Sequence, residues 1–248
     1  MAACTTDCYR MRRMPKRVSR DASSGEGARC RVSLLGRALR LARREGPLAL
    51  PVAVVRRYVV DSRTYFLFEY DLWSEACMRL PPLPDEFAGC FVADNETADQ
   101  LSEDHRDFRD HEPKARNALD SGAVAFCLYH GEDVAHVGWL TTSQKARRLF
   151  DSLGFEIRFD QGECWAGAVF TVPRFRNRGL LTYSALSRFA YLRDAGYGIC
   201  RSAVETDNGA SNSVQMRFDP RIYAVGHMFK LFGWRRWRER PPGAGESP

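Results

Sequence analysis

Three arginines at alternate positions, Arg174, Arg176 and Arg178, lead into Gly179, where an apolar run gives way to a helical pattern. The first backbone N–H groups of a helix lack internal partners, and the helix dipole adds positive potential at that end. A phosphate is the natural occupant of such a place. Gly179 would let the backbone approach a ligand closely, and the arginines would add charge. The plain alternative is a solvated, arginine-rich turn. Neither a GxxxxGKS/T loop nor a GxGxxG fingerprint is present, so a Walker site and a dinucleotide fold are excluded.

Other reactive side chains converge less. His105 and His111 are six residues apart and Cys4 and Cys8 four apart, with no further ligands beside them, so no metal site is expected. The eight cysteines are scattered, with no CxxC pair and no export signal ahead of them. That pattern suits reduced thiols and a cytoplasmic location. The longest apolar run, Leu48 to Val55, contains Pro51 and falls far short of the roughly 20 residues of a spanning helix.

The elements that must position the arginine loop follow from pattern. AVAFCLYH (123–130) and DVAHVGWLTT (133–142) predict a β-hairpin around Gly131-Glu132, its first strand buried on both faces. CWAGAVFTV (164–172) predicts a buried strand ended by Pro173, and LLTYSALSRFAYLRDAGY (180–197) a helix closing near Gly196. Residues 199–206 and 221–232 predict two more strands, the second followed by a basic tail, with a short helix between them. Upstream, TYFLFEYDL (64–72) predicts a strand set off from the main sheet by LPPLPDE. Residues 95–119 suit exposed helices broken at Pro113.

Charge is uneven. The net charge is +6, yet residues 1–60 hold fourteen Lys/Arg against four Asp/Glu, a surplus of ten, so the other 188 residues net −4. Residues 1–30 have the composition of a disordered extension. Residues 31–45 predict a basic amphipathic helix, docked on its own domain or lying on a membrane surface. A basic arm on an acidic body suggests contact with a polyanion or an anionic membrane surface through residues 1–60. The expected organisation is an extension (1–30), an amphipathic helix and lead-in strand (31–74) and a main domain (75–240).

Arg176-Asn177-Arg178-Gly179-Leu180-Leu181, on a strand-loop-helix, resembles the acyl-CoA pyrophosphate loop of the GNAT (Gcn5-related N-acetyltransferase) superfamily, Q/R-x-x-G-x-G/A. Arg176 and Gly179 match, while Leu181 stands where the family has a small residue. Asn208-Gly209-Ala210-Ser211 resembles the N-x-x-S/A that opens the family's next helix. The resemblance covers roughly residues 75–235. It implies an α/β (α+β) fold: a mixed, mostly antiparallel sheet with flanking helices, splayed between its fourth and fifth strands around acetyl-CoA or another acyl-CoA. Phe170, Thr171 and Val172 would pair with pantetheine through their backbone. The N–H groups of Phe175, Arg176, Asn177, Arg178, Gly179, Leu180 and Leu181, with the Arg174 side chain, would hold the pyrophosphate. Asn208 and Ser211 would flank the thiol.

The activity so implied is N-acetyltransferase chemistry, in which the acyl group passes to a primary amine on a small molecule or a protein. It needs a base for the amine and an acid for the departing thiolate. Glu163 and Glu205, at opposite ends of the two strands flanking the cleft, are the candidate bases. The family's usual tyrosine acid is replaced by Gln215. Tyr223 is expected as a strand aromatic, His227 as a half-buried imidazole and Cys164 as an inert buried thiol. The alternative is a non-catalytic module of the same fold, recruited to nucleic acid or membrane by its arm; a transferase drawing on charged tRNA is a third possibility.

Overall fold

The computed structural model describes residues 60–232 and 234–243. The expectations for residues 1–30, for the 31–45 helix and for polyanion or membrane contact through the arm lie outside these residues. In chain order the elements are β1 (Val60–Asp71), α1 (Glu75–Met78), β2 (Ala88–Val92), α2 (Asn95–Asp104), α3 (Ala115–Asp120), β3 (Ala123–His130) and β4 (Asp133–Thr141). Then come α4 (Gln144–Phe150), β5 (Glu163–Thr171), α5 (Leu180–Asp194), β6 (Ile199–Glu205), α6 (Gly209–Gln215), β7 (Arg221–Leu231) and β8 (Trp234–Arg240).

Eight strands form one sheet in the order β2-β3-β4-β5-β6-β1-β7-β8. The pairs β2–β3, β3–β4, β4–β5 and β1–β6 are antiparallel, and β5–β6 is parallel. This is the mixed, mostly antiparallel sheet with flanking helices that the sequence leads one to expect. Two compact units divide the described residues. Thr64–His227 with 237–243 form one, and the remainder, 60–63 with 228–232 and 234–236, form the other. The smaller contains the Arg63–Asp61 ion pair at 2.9 Å and the edge-on contact of Phe229 with Trp234. All that follows concerns the larger unit.

Local chemistry explains the elements around the loop. β3 is buried at every position but its last, because both of its faces are covered. Its hairpin with β4 closes His130 onto Asp133 across two residues, and Gly131 takes the φ of +60° that so tight a turn demands. α5 ends in a Schellman pattern: Tyr197 N–H bonds Leu192 O at 2.9 Å and Gly196 N–H bonds Arg193 O at 2.8 Å, with Gly196 at φ +89°.

Side chains alternate across the sheet, so each face has its own core. On the α5 face, Phe66, Phe68 and Tyr70 of β1 pack with Leu186, Phe189 and Leu192. On the other, Trp139 of β4 meets Phe150 of α4 at 4.8 Å and Phe108 at 6.0 Å, and Phe150 stacks on Trp165 at 5.7 Å.

Two placements differ from the sequence expectations. β1 lies inside the sheet, between β6 and β7, rather than ahead of it. Its inward residues Phe66, Phe68 and Tyr70 fill the α5-side core, which an isolated strand could not offer them. The basic tail continues as β8, an edge strand with one partner on which nearly every residue is exposed. Among the described residues no helix is long and apolar enough to cross a membrane.

Candidate functional site

β5 and β6 pair over three positions, Glu163 with Ile199, Cys164 with Cys200 and Trp165 with Arg201. Past that point β5 continues to Thr171 and β6 to Glu205 without a recorded partner residue across the gap. These are the fourth and fifth strands along the sheet, so the opening falls where the sequence places it. A bulge accompanies the parting. Val137 pairs with Phe170 but Trp139 pairs with Gly167, so β5 holds one extra residue here, and Ala168 takes a φ of +47°. Bulges bend a strand and re-aim its side chains, often beside active sites.

The arginine loop follows at the open end. Val172 N–H still bonds Ala135 O at 3.0 Å, then Pro173–Phe175 form a 3-10 turn that buries the Phe175 ring against Phe87 and His130. Gly179 caps α5 at φ +76°, a left-handed conformation that an L side chain resists. Among the described residues, no heavy atom beyond its chain neighbours lies within 4 Å of the place a Cβ would take there, so the backbone is approachable from that side. The first internal bond of α5 is Tyr183 N–H to Gly179 O at 3.0 Å. The N–H groups of Leu180, Leu181 and Thr182 have no backbone acceptor among the described residues, as the start of a helix requires. This is a cradle a phosphate fits.

The three arginines are not equivalent. Arg174 pairs with Asp133 at 2.6 Å and Arg178 with Glu86 at 3.3 Å. Arg176 donates to the Thr171 carbonyl at 3.3 Å and has no carboxylate partner among the described residues. Two of the three charges are therefore partly compensated, and Arg176 contributes most of the loop's surplus.

Glu163 sits at the closed end of the gap and is almost fully buried. Arg158 gives it both a backbone N–H, at 2.9 Å, and its guanidinium; Arg201 Nη2 donates to it at 2.9 Å and pairs with Glu69 at 2.8 Å. Burial alone would raise this carboxyl, but the hydrogen bonds from Arg158 and Arg201 hold it below the usual carboxylate range. Its lone pairs are committed to guanidinium groups. Glu205 ends β6 at the open end, where Tyr65 donates a hydrogen bond to it at 3.3 Å. Asn208 caps α6, accepting Ser211 N–H at 3.2 Å through Oδ1, which leaves its amide nitrogen as donor. Leu181 is half-buried.

The remaining candidates take quieter positions. The Cys164 thiol is held protonated by its contact with Cys200 and by burial. Tyr223 lies under the Arg201 guanidinium, 4.5 Å from ring centre, and burial raises its hydroxyl. His227 is exposed rather than half-buried, because it points outward from β7 after a buried Ala224–Gly226 stretch. Among the described residues no group of three or more His, Cys, Asp or Glu could hold a metal ion.

Two groupings escaped the sequence. Tyr70 on β1 donates its hydroxyl to Gln215 Oε1 at 2.7 Å and sits 3.1 Å from Ser202 Oγ, the first β6 residue past the last β5–β6 pair. Burial raises the Tyr70 hydroxyl, so it keeps its proton and remains a donor. The second grouping is a cavity of about 240 Å³ on the face opposite α5, between the Phe108–His111 turn and the β5 bulge. No sequence signal links residues 108–112 to 168–170; they meet because the turn packs on the sheet, Phe108 on Trp139 at 6.0 Å and His111 on Phe170 at 4.6 Å.

No family model and no curated protein matches the chain. Solved structures do. A GCN5-related glucosamine N-acetyltransferase region within a fungal multi-domain GH3 β-N-acetylglucosaminidase aligns at TM-score 0.50 and 13% identity, over 75% of this chain and 23% of that one. A Drosophila protein aligns at 0.47 and 16% over 79% and 58%, and a GCN5-related N-acetyltransferase-like protein from Streptococcus suis at 0.46 and 14% over 81% and 74%. At such identities the likeness is one of fold. The chain has the fold of the GCN5-related N-acetyltransferases.

Proposed function

We propose that this chain is an acyl-CoA-dependent N-acyltransferase that uses acetyl-CoA or a related acyl-CoA and delivers the acyl group to a primary amine. The observation that carries the reading is the parting of β5 from β6 after Trp165 and Arg201, with the uncapped start of α5 at the same open end. Bound acyl-CoA supplies an activated thioester carbon.

The chain's own residues do the rest. The N–H groups of Leu180, Leu181 and Thr182, with the Arg176 guanidinium, hold the pyrophosphate, and the Gly179 backbone permits its approach. The free edge of β5 at Phe170–Val172 aligns the pantetheine amides as an added strand would. Asn208 and Ser211 flank the thiol end. The neutral amine nitrogen attacks the thioester carbon, the C–S bond breaks, the nitrogen gives up a proton and the sulfur takes one. Glu205, at the open end of β6, is the acceptor of that proton, and Glu163 is a positioning residue that anchors the closed end through Arg158 and Arg201. The Tyr70 hydroxyl, through Gln215, orients the polar throat where the family places its acid. Holding both reactants in one gap supplies most of the acceleration.

The test is thiol release from acetyl-CoA against an amine panel, following free CoA with a thiol reagent. Amine-dependent release that falls in Glu205→Gln, with CoA affinity unchanged, supports the assignment. Release at the wild-type rate in that variant removes Glu205 from the role.

A further inference from the structure

We propose that a second cavity, of about 300 Å³ and lined by β1, β7 and β8, is a binding site for a phosphomonoester carried on a small body. Its lining is Thr64 of β1, Val225 and His227 of β7, and Arg238, Glu239 and Arg240 of β8. In the strand order β5-β6-β1-β7-β8 it lies beyond β6 from the gap, so it is separate from the pyrophosphate cradle. The inference goes beyond acyl transfer and does not depend on it.

Strand alternation sorts the charges around this space. Thr64 falls on the face of β1 that carries Phe66, Phe68 and Tyr70, and Val225 is buried in the same α5-side core. Trp237 of β8 packs on the opposite face, where its ring meets Tyr65 at 6.1 Å and Phe155 at 6.4 Å. Glu239 shares that face with it and accepts the Trp237 Nε1–H at 2.7 Å. Arg238 and Arg240 therefore turn toward the cavity, while the one carboxylate of the lining is drawn away from them. Side chains two apart on a strand are spaced by about 6.6 Å, close enough for two long guanidinium arms to close on one tetrahedral anion.

The other donors are set in place. Thr64 has its carbonyl fixed by Thr206, whose backbone N–H donates at 2.9 Å and whose hydroxyl donates at 3.3 Å. Arg240 Nη1 donates to the Pro241 carbonyl at 3.2 Å, which anchors one side of its fork. Arg238 is exposed and has no carboxylate partner among the described residues.

Donor number and size narrow the ligand. Two guanidinium forks, an imidazole and a hydroxyl exceed what the two oxygens of a carboxylate can use, and match the three terminal oxygens of a phosphoryl group. The volume stands at the lower end of the roughly 300–1,000 Å³ of small-molecule sites, so it takes a short polyol or sugar behind the phosphate rather than a dinucleotide. Val225 and the aliphatic stems of the arginines form the floor for that body.

Calorimetric titration of the full chain with glycerol 3-phosphate, inorganic phosphate, glycerol and acetate, at fixed ionic strength and with and without saturating CoA, tests the site. One saturable glycerol 3-phosphate site is expected, displaced by inorganic phosphate and indifferent to CoA, with no binding of glycerol or acetate. Arg238→Gln should weaken it about tenfold, the scale of one hydrogen bond to a charged group. The double variant Arg238→Gln/Arg240→Gln should abolish it with circular dichroism unchanged, since both side chains are exposed. Arg79→Gln removes the same charge from an exposed position on another element and should bind like the parent. Arg176→Ala should also bind like the parent, which separates this site from the cradle whether or not CoA binds there. The proposal is overturned if glycerol 3-phosphate gives no saturable heat, if the double variant binds it as tightly as the parent, if Arg176→Ala or CoA removes the binding, or if acetate binds equally well.

Discussion

Acidification should weaken this fold through one buried imidazole. His136 of β4 is fully buried, with Nδ1 2.8 Å from Thr171 Oγ1 on the free part of β5, and no partner for Nε2 among the described residues. Burial pushes its pKa down to about 3, and the nearby Arg188 guanidinium adds to the effect. Arg188 is itself buried, bonded to the carbonyls of Trp139 at 2.9 Å and Ser184 at 3.2 Å. In the unfolded chain His136 titrates near 6.5, so above that pH it is neutral in both states and costs nothing. As pH falls below 6.5 the unfolded state takes up a proton that the folded state refuses until about pH 3, and stability drains away across that window. Between pH 7.5 and pH 5.0 the span below 6.5 is about 1.5 units, worth about 2 kcal/mol at 1.36 kcal/mol per unit. Urea unfolding at the two pH values, on the parent and on His136→Gln, isolates it, because the other titrating groups are common to both proteins and cancel. The parent should lose about 1 M more in urea midpoint than the variant, taking a slope near 2 kcal/mol/M. Equal losses in the two proteins would refute the reasoning.

Glu163→Gln should lower stability at neutral pH by about 3 kcal/mol, the low end for breaking a buried ion pair, since Arg201 keeps Glu69 at 2.8 Å. Because the folded Glu163 pKa is depressed, this contribution is present above the unfolded value near 4.5 and lost as pH falls below it. The gap between thermal melts of parent and variant should therefore narrow as pH is lowered below 4.5; a constant gap would contradict the ion-pair account. In the arginine loop, Arg176→Ala should weaken CoA binding more than Arg178→Ala, because Glu86 already compensates Arg178. Competitive displacement of a fluorescent CoA analogue, at low and high salt, measures the order, and the reverse order would mean that Glu86 yields its partner to the ligand.

The parts of the fold that were legible in the sequence are those written in neighbouring residues. The β3–β4 hairpin follows from two apolar runs flanking Gly131-Glu132, and α5 from its spacing and from Gly196. Gly179 was legible for the same reason: strand, turn and helix start are all local, and its φ of +76° explains why glycine stands there. Partnership between distant strands is not local. Nothing in TYFLFEYDL says that Tyr65 faces Glu205 or that Tyr70 reaches Gln215, residues about 140 positions on. β8 was read as a tail because WRRWRER offers no apolar alternation; as an edge strand it needs little. Glu163 shows the same limit, since a carboxylate opening a strand looks free until Arg158 and Arg201 fold onto it. The cavity under His111 and Glu112 depends on an extra residue in β5 that no composition rule announces.

The central claim is that acyl-CoA occupies the gap between β5 and β6 with its pyrophosphate on the start of α5. Isothermal titration of the full chain with CoA tests it most directly, with ATP and NAD as controls and Gly179→Trp as the blocking variant. The account predicts one saturable CoA site, no binding of NAD, and loss of the CoA heat in a Gly179→Trp protein whose circular dichroism is that of the parent. A parent that gives no heat with CoA, or a variant that binds it as tightly as the parent, would contradict the account.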